Sequence, residues 1–403
     1  MNFVKFLFLL VSTSDLTGKG LADFGYDDFY HDINLTAILE SFMLGYDKRV
    51  RPNNGGPPVT VGVSLYVLGI EEVNTEKMDF SFDMYFRQFW TDPRMAFNRR
   101  PGFNKVVVGA DYIDNLWVPD TFFVNEKSSH IHQHTTKNQF LRIMHTGEIL
   151  RSIRMSVKAT CPMDLHYFPM DTQLCTLEIE SFGYTMSDIR FRWENGDTNS
   201  VQVSPDVSTA EFSVVGHRQR LVEASLSSGN YSRLLMDIQF RRAYETYITQ
   251  IYIPVGLLVA MTWVSFWLDD GAAGARVGLC VTAIISIMAI GLHVNASLPK
   301  IAYLKAIDVY LWFCLLISFA ALVEFALVSW ISRIVRHLRQ RQTKNDNETS
   351  PSKLVRLLEI AGRCVDWASR LIFPVAFLVF KAKYWSKYQD VNSETVDDLV
   401  TLN

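Results

Sequence analysis

The chain has 403 residues, enough for two or three domains, and its 39 lysines and arginines nearly match its 42 aspartates and glutamates. The formal net charge of -3 gives no reason to expect nucleic acid as a partner. No nucleophile–base set, phosphate-binding loop or zinc-ligand spacing stands out, so we expect neither an enzyme nor a cofactor. Hydrophobic residues make up 49% of the chain, and their distribution indicates its class.

The first 20 residues carry one lysine beside a short apolar core, "MNFVKFLFLLVSTS". This pattern is typical of a secretory signal peptide, and an ordered N-terminal segment is the alternative. The next region, residues 21–245, contains short alternating runs such as "VTVGVSLYVLGI" and "SDIRFRWEN" between turn residues. Period-two patterning at this spacing predicts an antiparallel β-sandwich, which the helix-like stretch "HDINLTAILESFMLGY" precedes. Two sequons predict glycosylation, at Asn34 and Asn230.

Two pairs of side chains on predicted strands are candidates for binding. In "FSFDMYFRQFW", Tyr85 and Arg87 fall on the more polar face, where a ring and a guanidinium suit a ligand carboxylate. An ordinary solvated face is the alternative. In "SHIHQH", His130 and His132 share one strand face. A modulatory site for a divalent metal and an incidental surface pair are both consistent with that spacing.

Three long apolar segments occupy residues 246–332. Thr246 to Leu268 has no charge over 23 residues, Val277 to Pro299 is another 23-residue segment, and Val309 to Ser332 has 24 residues with one acid, Glu324. A helix crosses the hydrocarbon core with about 20 residues, so three membrane spans are predicted. The ten residues "LIFPVAFLVF" predict a fourth, within 365–388, only if flanking cations snorkel and Trp367 lies at an interface.

The charge between the spans predicts their orientation. Residues 333–364 hold eight lysines and arginines against three acids, which favours a cytoplasmic linker. Residues 21–245 and the acidic tail 389–403 are then extracellular, in a multi-pass plasma-membrane protein. Cys161 and Cys175 lie in that oxidising compartment, while the other three cysteines lie in or beside spans. A Cys161–Cys175 disulfide is therefore predicted, worth about 3 kcal/mol on the chain-entropy model.

Several stretches resemble one family in order along the chain: "CPMDLHYFPMDTQLC", "WVPDTFFVNEK", "LEIESFGYT", "IYIPVGLLVAMTWVSFWL" and "SLPKIAYLKAIDVYLW". They are similar to the Cys-loop pentameric ligand-gated ion channels, most of all to the glycine and gamma-aminobutyric acid receptor branch. The resemblance implies five subunits around a pore. Each would have a ten-stranded, immunoglobulin-like extracellular sandwich and a four-helix transmembrane bundle, which supports the fourth span.

One stripe on the second span recurs at 4-3-4-3 spacing: Gly278, Thr282, Ile285, Ala289 and Leu292. Spacing alone favours a helix–helix seam, whereas the resemblance matches the stripe to a pore lining. Five copies of Ile285 would then form an apolar ring that closes by excluding water.

The inner end of the second span carries the selectivity prediction. Cation-selective relatives place a glutamate ring before the arginine at this mouth, but this chain has Gly274 and Ala275 before Arg276. Arg276 and the helix N-termini are then expected to face the entrance and favour chloride. Asp269 and Asp270 argue the other way.

The resemblance also implies residues for an agonist site and for coupling. The agonist would lie between subunits, with Phe122, Glu180, Phe182, Ser228 and Tyr231 on one face and Tyr85, Arg87 and Ser152 on the other. Leu226 stands where amino-acid-gated relatives usually have an aromatic residue. Coupling would run from Phe168 and Pro169 to "NASLPKIAY", which contains Lys300, and through an Asp171–Arg242 pair.

These observations predict a chloride channel subunit opened by a small amino acid or amine. Its expected location is the plasma membrane, of which the postsynaptic membrane is one candidate region. Its expected partners are four further subunits, as a homopentamer, and membrane lipids. One alternative is a cation-selective member of the family. The other is a non-conducting or orphan subunit that responds to protons or to a ligand other than an amino acid.

Overall fold

The structure, a computed structural model, describes residues 34–100, 103–205, 207–268, 272–345, 353–388 and 399–401. The predicted signal peptide, Asp269 and Asp270 lie outside these residues, as does most of the acidic tail. Within them, a β-rich part ends at Arg242 and a helical part begins at Glu245.

The bounds of the elements follow the predicted division into strands and helices. The helices are α1 (Leu35–Met43), α2 (Ala110–Ile113), α3 (Gly196–Asn199), α4 (Glu245–Tyr247), α5 (Ile253–Val264), α6 (Ala273–Ala296), α7 (Ala306–Asn345) and α8 (Lys353–Tyr388). The strands are β1 (Val59–Asn74), β2 (Asp79–Thr91), β3 (Lys105–Val108), β4 (Thr121–Phe123), β5 (Glu126–Ile131), β6 (Gln139–Met144), β7 (Glu148–Thr160), β8 (Thr172–Ser181), β9 (Ile189–Trp193), β10 (Val201–Val203), β11 (Phe212–Leu226), β12 (Gly229–Arg242) and β13 (Val400–Thr401).

The strands form two sheets. One has eight strands in the order β10-β1-β2-β7-β6-β3, with β5 also paired to β7 and β9 to β1, and the other has the order β13-β11-β12-β8-β4. Aromatic rings join the sheets across the core, with Phe80 of β2 6.1 Å from Phe240 of β12. The described part of the chain thus has twelve strands before α4, where ten were expected. The number is higher because short edge strands such as β10 also pair.

The side chains of β2 alternate as the sequence predicts. Phe82, Met84 and Phe86 are buried in the sandwich core. Tyr85 and Arg87, at the intervening positions, are half-exposed on the opposite face. A strand presents successive side chains to opposite faces, so the apolar residues fix Tyr85 and Arg87 on the outer surface of the eight-stranded sheet.

Three helical segments are long and apolar enough to cross a membrane: Glu245–Trp267, Ala273–Ala296 and Ala306–Gln340. The first is not a uniform α-helix, since a π-helical turn, Ile248–Tyr252, joins α4 to α5. The three segments agree with the three strong predicted spans. Each lies on the helical side of the junction with the sandwich.

The fourth helix packs antiparallel to α7. Phe313 of α7 stacks on Phe380 of α8 at 3.7 Å. Nearer the end of α7 and the start of α8, Arg339 pairs with Glu359 at 2.7 Å. α8 is not among the three helical segments that are long and apolar enough to cross a membrane. Its outward face is nevertheless apolar over two turns, with exposed Leu371, Ile372, Val375, Leu378 and Val379.

Helix occupies both ends of the predicted cytoplasmic linker, residues 333–364. α7 continues to Asn345, and α8 already begins at Lys353. Within this range the two helices pack against each other, as the Arg339–Glu359 pair shows. Gly362 lies at this contact, where an added Cβ would lie 3.5 Å from Ile331.

Cys161 and Cys175 form the predicted disulfide. Both residues are buried, and they enclose the loop between β7 and β8 that reaches the helical part. The disulfide therefore constrains the segment of the sandwich closest to the helices.

We expect Cys161→Ala with Cys175→Ala to cost about 3 kcal/mol of folding stability, because the open loop has more entropy in the unfolded chain. The midpoint of thermal unfolding of the detergent-solubilised protein measures this loss. Cys364→Ala is the control, since Cys364 is exposed and free. Equal midpoints for the double variant and the control would contradict the prediction.

Candidate functional site

One half of the predicted agonist site is assembled on the five-stranded sheet. Phe122 of β4 lies opposite Glu180 of β8 in the strand register, and the Phe122 ring makes an edge contact with Phe182 at 5.4 Å. Phe182 is 76% exposed. At the tip of the β11–β12 hairpin, Tyr231 donates its hydroxyl to Ser228 at 3.0 Å. The sheet thus presents an outward aromatic pair and a polar hairpin tip.

Glu180 does not stand free to receive an ammonium group. It is 3% exposed, and Oε2 accepts a hydrogen bond from Nε of Arg233 at 2.6 Å. The other arm of that guanidinium reaches Glu178 at 2.6 Å. Sequence reasoning missed Arg233, because cross-strand neighbours depend on the register of β8 and β12. The expected direct role of Glu180 is therefore corrected to a carboxylate already held inside the subunit.

The other half lies on the eight-stranded sheet. Arg87 of β2 is directly opposite Ser152 of β7, and its guanidinium carbon lies 5.8 Å from the Tyr85 ring centre. Tyr66 of β1 adds a second ring, 6.2 Å from Tyr85. The three predicted residues of this face are therefore neighbours, and Tyr66 extends the aromatic surface.

A single chain does not close the two halves around one ligand. Phe123, next to Phe122, points into the core and contacts Phe86 of β2 at 5.5 Å. Because neighbouring residues on a strand point to opposite faces, Phe122 and Tyr85 face outward from opposite sides of the sandwich. A site that uses both halves requires the face of a second copy.

The predicted stripe on α6 is exposed along its whole length: Gly278, Thr282, Ile285, Ala289 and Leu292. The opposite face of the helix, which includes Cys280, Ala283 and Ile287, is buried within the subunit. Ile285 is 61% exposed. The helix is therefore oriented by its buried face, and an apolar stripe is left for contact with lipid, water or other copies.

Arg276 does not face the entrance, contrary to the prediction. It is 1% exposed, and it donates a hydrogen bond to the carbonyl of Leu268. Nη1 lies 3.6 Å from Asp366 of α8, and the guanidinium lies 5.4 Å from the Phe325 ring. Gly274 and Ala275, by contrast, are exposed. Packing against α7 and α8 turns this arginine inward, a contact that a sequence of α6 alone does not reveal.

The predicted Asp171–Arg242 pair is present at the junction between sheets and helices. Nε of Arg242 lies 2.8 Å from Oδ1 of Asp171, and Nη2 donates to Thr75 at 3.1 Å. The rings of Phe168 and Phe212 lie 4.7 and 4.4 Å from the guanidinium carbon. Burial opposes the charge, but the attraction of Asp171 outweighs it and raises the pKa of Arg242.

The loop closed by the disulfide contacts the start of α7. The amide of Ile307 donates to the carbonyl of Phe168 at 3.1 Å, and that of Ala306 donates to His166 at 2.9 Å. The His166 ring stacks on Tyr303 at 3.8 Å. The predicted contact with "NASLPKIAY" thus occurs at its Tyr303 end, and the Phe168–Pro169 tip reaches beyond it.

Lys305, rather than the predicted Lys300, is fixed at this junction. Lys300 is exposed. Nζ of Lys305 lies 2.8 Å from Asn295 of α6 and 2.7 Å from Asp308 of α7. The i,i+3 spacing of Lys305 and Asp308 is a sequence signal that was missed, because such a pair is usually a surface contact.

The two predicted histidines are close to each other, with ring centres 5.1 Å apart. Nε2 of His132 is engaged by Ser156 at 2.9 Å and lies 3.4 Å from Asp83. The described residues contain no group of three or more potential metal ligands. Both sequon asparagines are exposed: Asn34 caps α1 by accepting a hydrogen bond from the amide of Ala37, and Asn230 is the second residue of β12, just after the hairpin tip.

Two family models match this chain. Residues 35–244 match the neurotransmitter-gated ion-channel ligand binding domain, and residues 251–356 match the neurotransmitter-gated ion-channel transmembrane region. The first match alone covers more than half of the chain. The protein therefore belongs to the neurotransmitter-gated ion-channel family, also called the Cys-loop family. This is a family of channels rather than enzymes, and its members assemble as pentamers and bind small-molecule neurotransmitters.

We expect Asp171→Asn or Arg242→Gln alone to destabilise the protein by about 3–5 kcal/mol, because each leaves a buried charge without its partner. The double variant should recover part of this loss, since no unpaired charge remains. Thermal unfolding of the purified protein gives the three values. The exposed pair of Asp47 with Arg49 supplies the control, and Asp47→Asn should leave the midpoint unchanged. A double variant with the full summed loss would contradict the prediction.

Proposed function

We propose that this chain is a subunit of a chloride-selective, agonist-gated channel in the glycine and gamma-aminobutyric acid receptor branch of the family. The single observation that carries the proposal is the orientation of α6. Its buried face packs inside the subunit, and its exposed stripe, with no acid among the residues described from Ala272 to the stripe, is available to line a pore. Five copies surround that pore in a plasma membrane, with both chain termini outside.

The closed gate is the apolar ring at Ile285. Its side chain is 61% exposed, and Leu292, two turns away, is 72% exposed. Apolar constrictions stop ions by excluding water, because no side chain there replaces the hydration shell of an ion. The opening motion widens or tilts this ring.

The anion preference comes from the backbone rather than from Arg276. α6 begins at Ala273 without a side-chain cap at Ala272, so the first amides of the helix keep their partial positive charge. The exposed residue at the discriminating position, Ala275, carries no carboxylate to offset that charge. Five such helix ends around the inner mouth favour chloride over sodium.

The agonist is a small amino acid or amine that lies between subunits. Arg87 forks its carboxylate beside Ser152, and the Phe122–Phe182 pair of the neighbouring subunit offers a ring face to its ammonium. Glu180 contributes indirectly, because its carboxylate offsets the positive charge of Arg233 near the rings that receive the ammonium. His130 and His132 form at most a modulatory site on the outer sheet.

The deciding experiment is the reversal potential of the agonist-evoked current as chloride and sodium are varied separately. The proposal expects the reversal potential to follow chloride in the native channel. Ala275→Glu should shift the selectivity towards sodium, because it restores a ring of carboxylates, while the isosteric Ala275→Gln should not. A native reversal that follows sodium would identify a cation-selective member, and surface pentamers that stay silent with every agonist would identify a non-conducting subunit.

We expect Ile285→Thr to produce current without agonist, because a hydroxyl ring holds water in the closed pore. Holding current in cells that express the variant measures this leak. Ile284→Thr is the matched control, since Ile284 is the same residue type and lies about 100° around α6 from Ile285, off the stripe. Equal leak from both variants would remove Ile285 from the gate.

We expect Arg87→Ala to raise the half-maximal agonist concentration by at least about tenfold, because a charge-assisted hydrogen bond to the ligand is lost. Arg87→Lys should recover only part of the affinity, since lysine does not fork a carboxylate. The control is Arg190→Ala, since Arg190 is an exposed residue of β9 in the same sheet. Unchanged concentration–response curves for Arg87→Ala would refute carboxylate binding at this position.

A further inference from the structure

One edge of β11 is not paired with β12, and part of that edge pairs with Val400 and Thr401 of the same chain. Thr401 of β13 lies opposite Gly216, and Val400 lies opposite His217, in antiparallel register. Within the described residues, β13 is the only strand on that edge of the five-stranded sheet. Unpaired edge strands expose amides and carbonyls, so a short added strand satisfies part of a 15-residue edge.

The absence of a side chain at Gly216 leaves the space that this contact needs. A Cβ at that position would lie 2.7 Å from the carbonyl oxygen of Val400 and 3.3 Å from Cα of Thr401. Its φ is not in the left-handed region, so the space rather than the backbone conformation requires glycine. A register shift between Val214 and Gly216 directly precedes the contact and sets the edge at this point.

The same residues lie at the base of the ligand hairpin. β11 leads to Ser228 at the tip, and His217 is buried against the sheet with its ring bonded to Gln219 at 3.2 Å. The other end of the C-terminal segment is α8, whose last residue, Tyr388, contacts Tyr167 of the disulfide loop at 6.1 Å. α8 therefore contacts the disulfide loop, and β13 contacts the sandwich at a separate place.

We propose that Val400 and Thr401 act as an intramolecular edge strand that braces the base of the agonist hairpin. The occupant of the β11 edge is this chain's own pair of residues, Val400 and Thr401, bound by strand addition. The pairing holds the hairpin base in the position from which agonist is bound, so its loss weakens the response to agonist. The pairing is independent of the proposed function, whereas its effect on gating depends on it.

The pairing is tested without any current. A protease site inserted within residues 389–398 and an epitope tag after Asn403 report whether the C-terminus stays attached after cleavage. His217→Cys with Val400→Cys places two thiols directly opposite each other, so the tag should remain bound until a reductant is added. His217→Cys with Thr401→Cys is the control, because these two residues are one position out of register. This pair should release the tag. Release from both pairs would overturn the proposal.

The link to gating is tested by deleting Val400–Asn403. Loss of the β11–β13 pairing should raise the half-maximal agonist concentration by about two- to thirtyfold, which corresponds to the typical range of coupling energies. Gly216→Val should give a similar shift in the full chain and none in the truncated chain, because both changes remove the same contact.

Deletion of Asn403 alone is the control, and surface labelling confirms that each variant is assembled. Cross-linking together with unchanged or lower half-maximal concentrations would refute the gating role while the pairing stands. Additive shifts from truncation and Gly216→Val would also refute it. If no variant or native channel conducts, the tagged cross-link still decides the pairing, so failure of the proposed function is recognised separately.

Discussion

The buried ion pair between Asp171 and Arg242 is the constraint on which the rest of the architecture depends. Both side chains are almost inaccessible, and two aromatic rings cover the guanidinium. Such a pair is costly to desolvate and is stable only when its geometry is complete. It therefore fixes the disulfide loop relative to the last strand before the membrane, at the point where β-structure gives way to helix.

From this fixed point, contacts continue to α6. The carbonyl of the loop residue Phe168 accepts a hydrogen bond from the amide of Ile307, and Lys305, just before α7, reaches back to Asn295 near the end of α6. Each step is a short, directional contact. The sandwich is therefore joined to α6 by hydrogen bonds through the start of α7.

Two surfaces of the chain face outward. The residues predicted to bind agonist lie on opposite sides of one sandwich, and the apolar stripe on α6 is exposed although its helix is well packed on the other side. On a membrane-spanning helix, an exposed apolar stripe faces lipid, another chain or a lumen. The proposed function assigns it to the lumen, and with Arg276 buried it assigns the charge at the inner mouth to the backbone amides.

The sequence by itself determined the two-part architecture, the three strong spans, the disulfide and the alternating face of β2, because period, length and cysteine location are local properties. It also identified Asp171 and Arg242 through resemblance. Only the tertiary structure decided that Arg276 turns inward, that Glu180 is held by Arg233 and that helix continues through most of the linker. Those outcomes depend on partners distant in sequence, whose positions follow from strand register and helix packing rather than from local pattern.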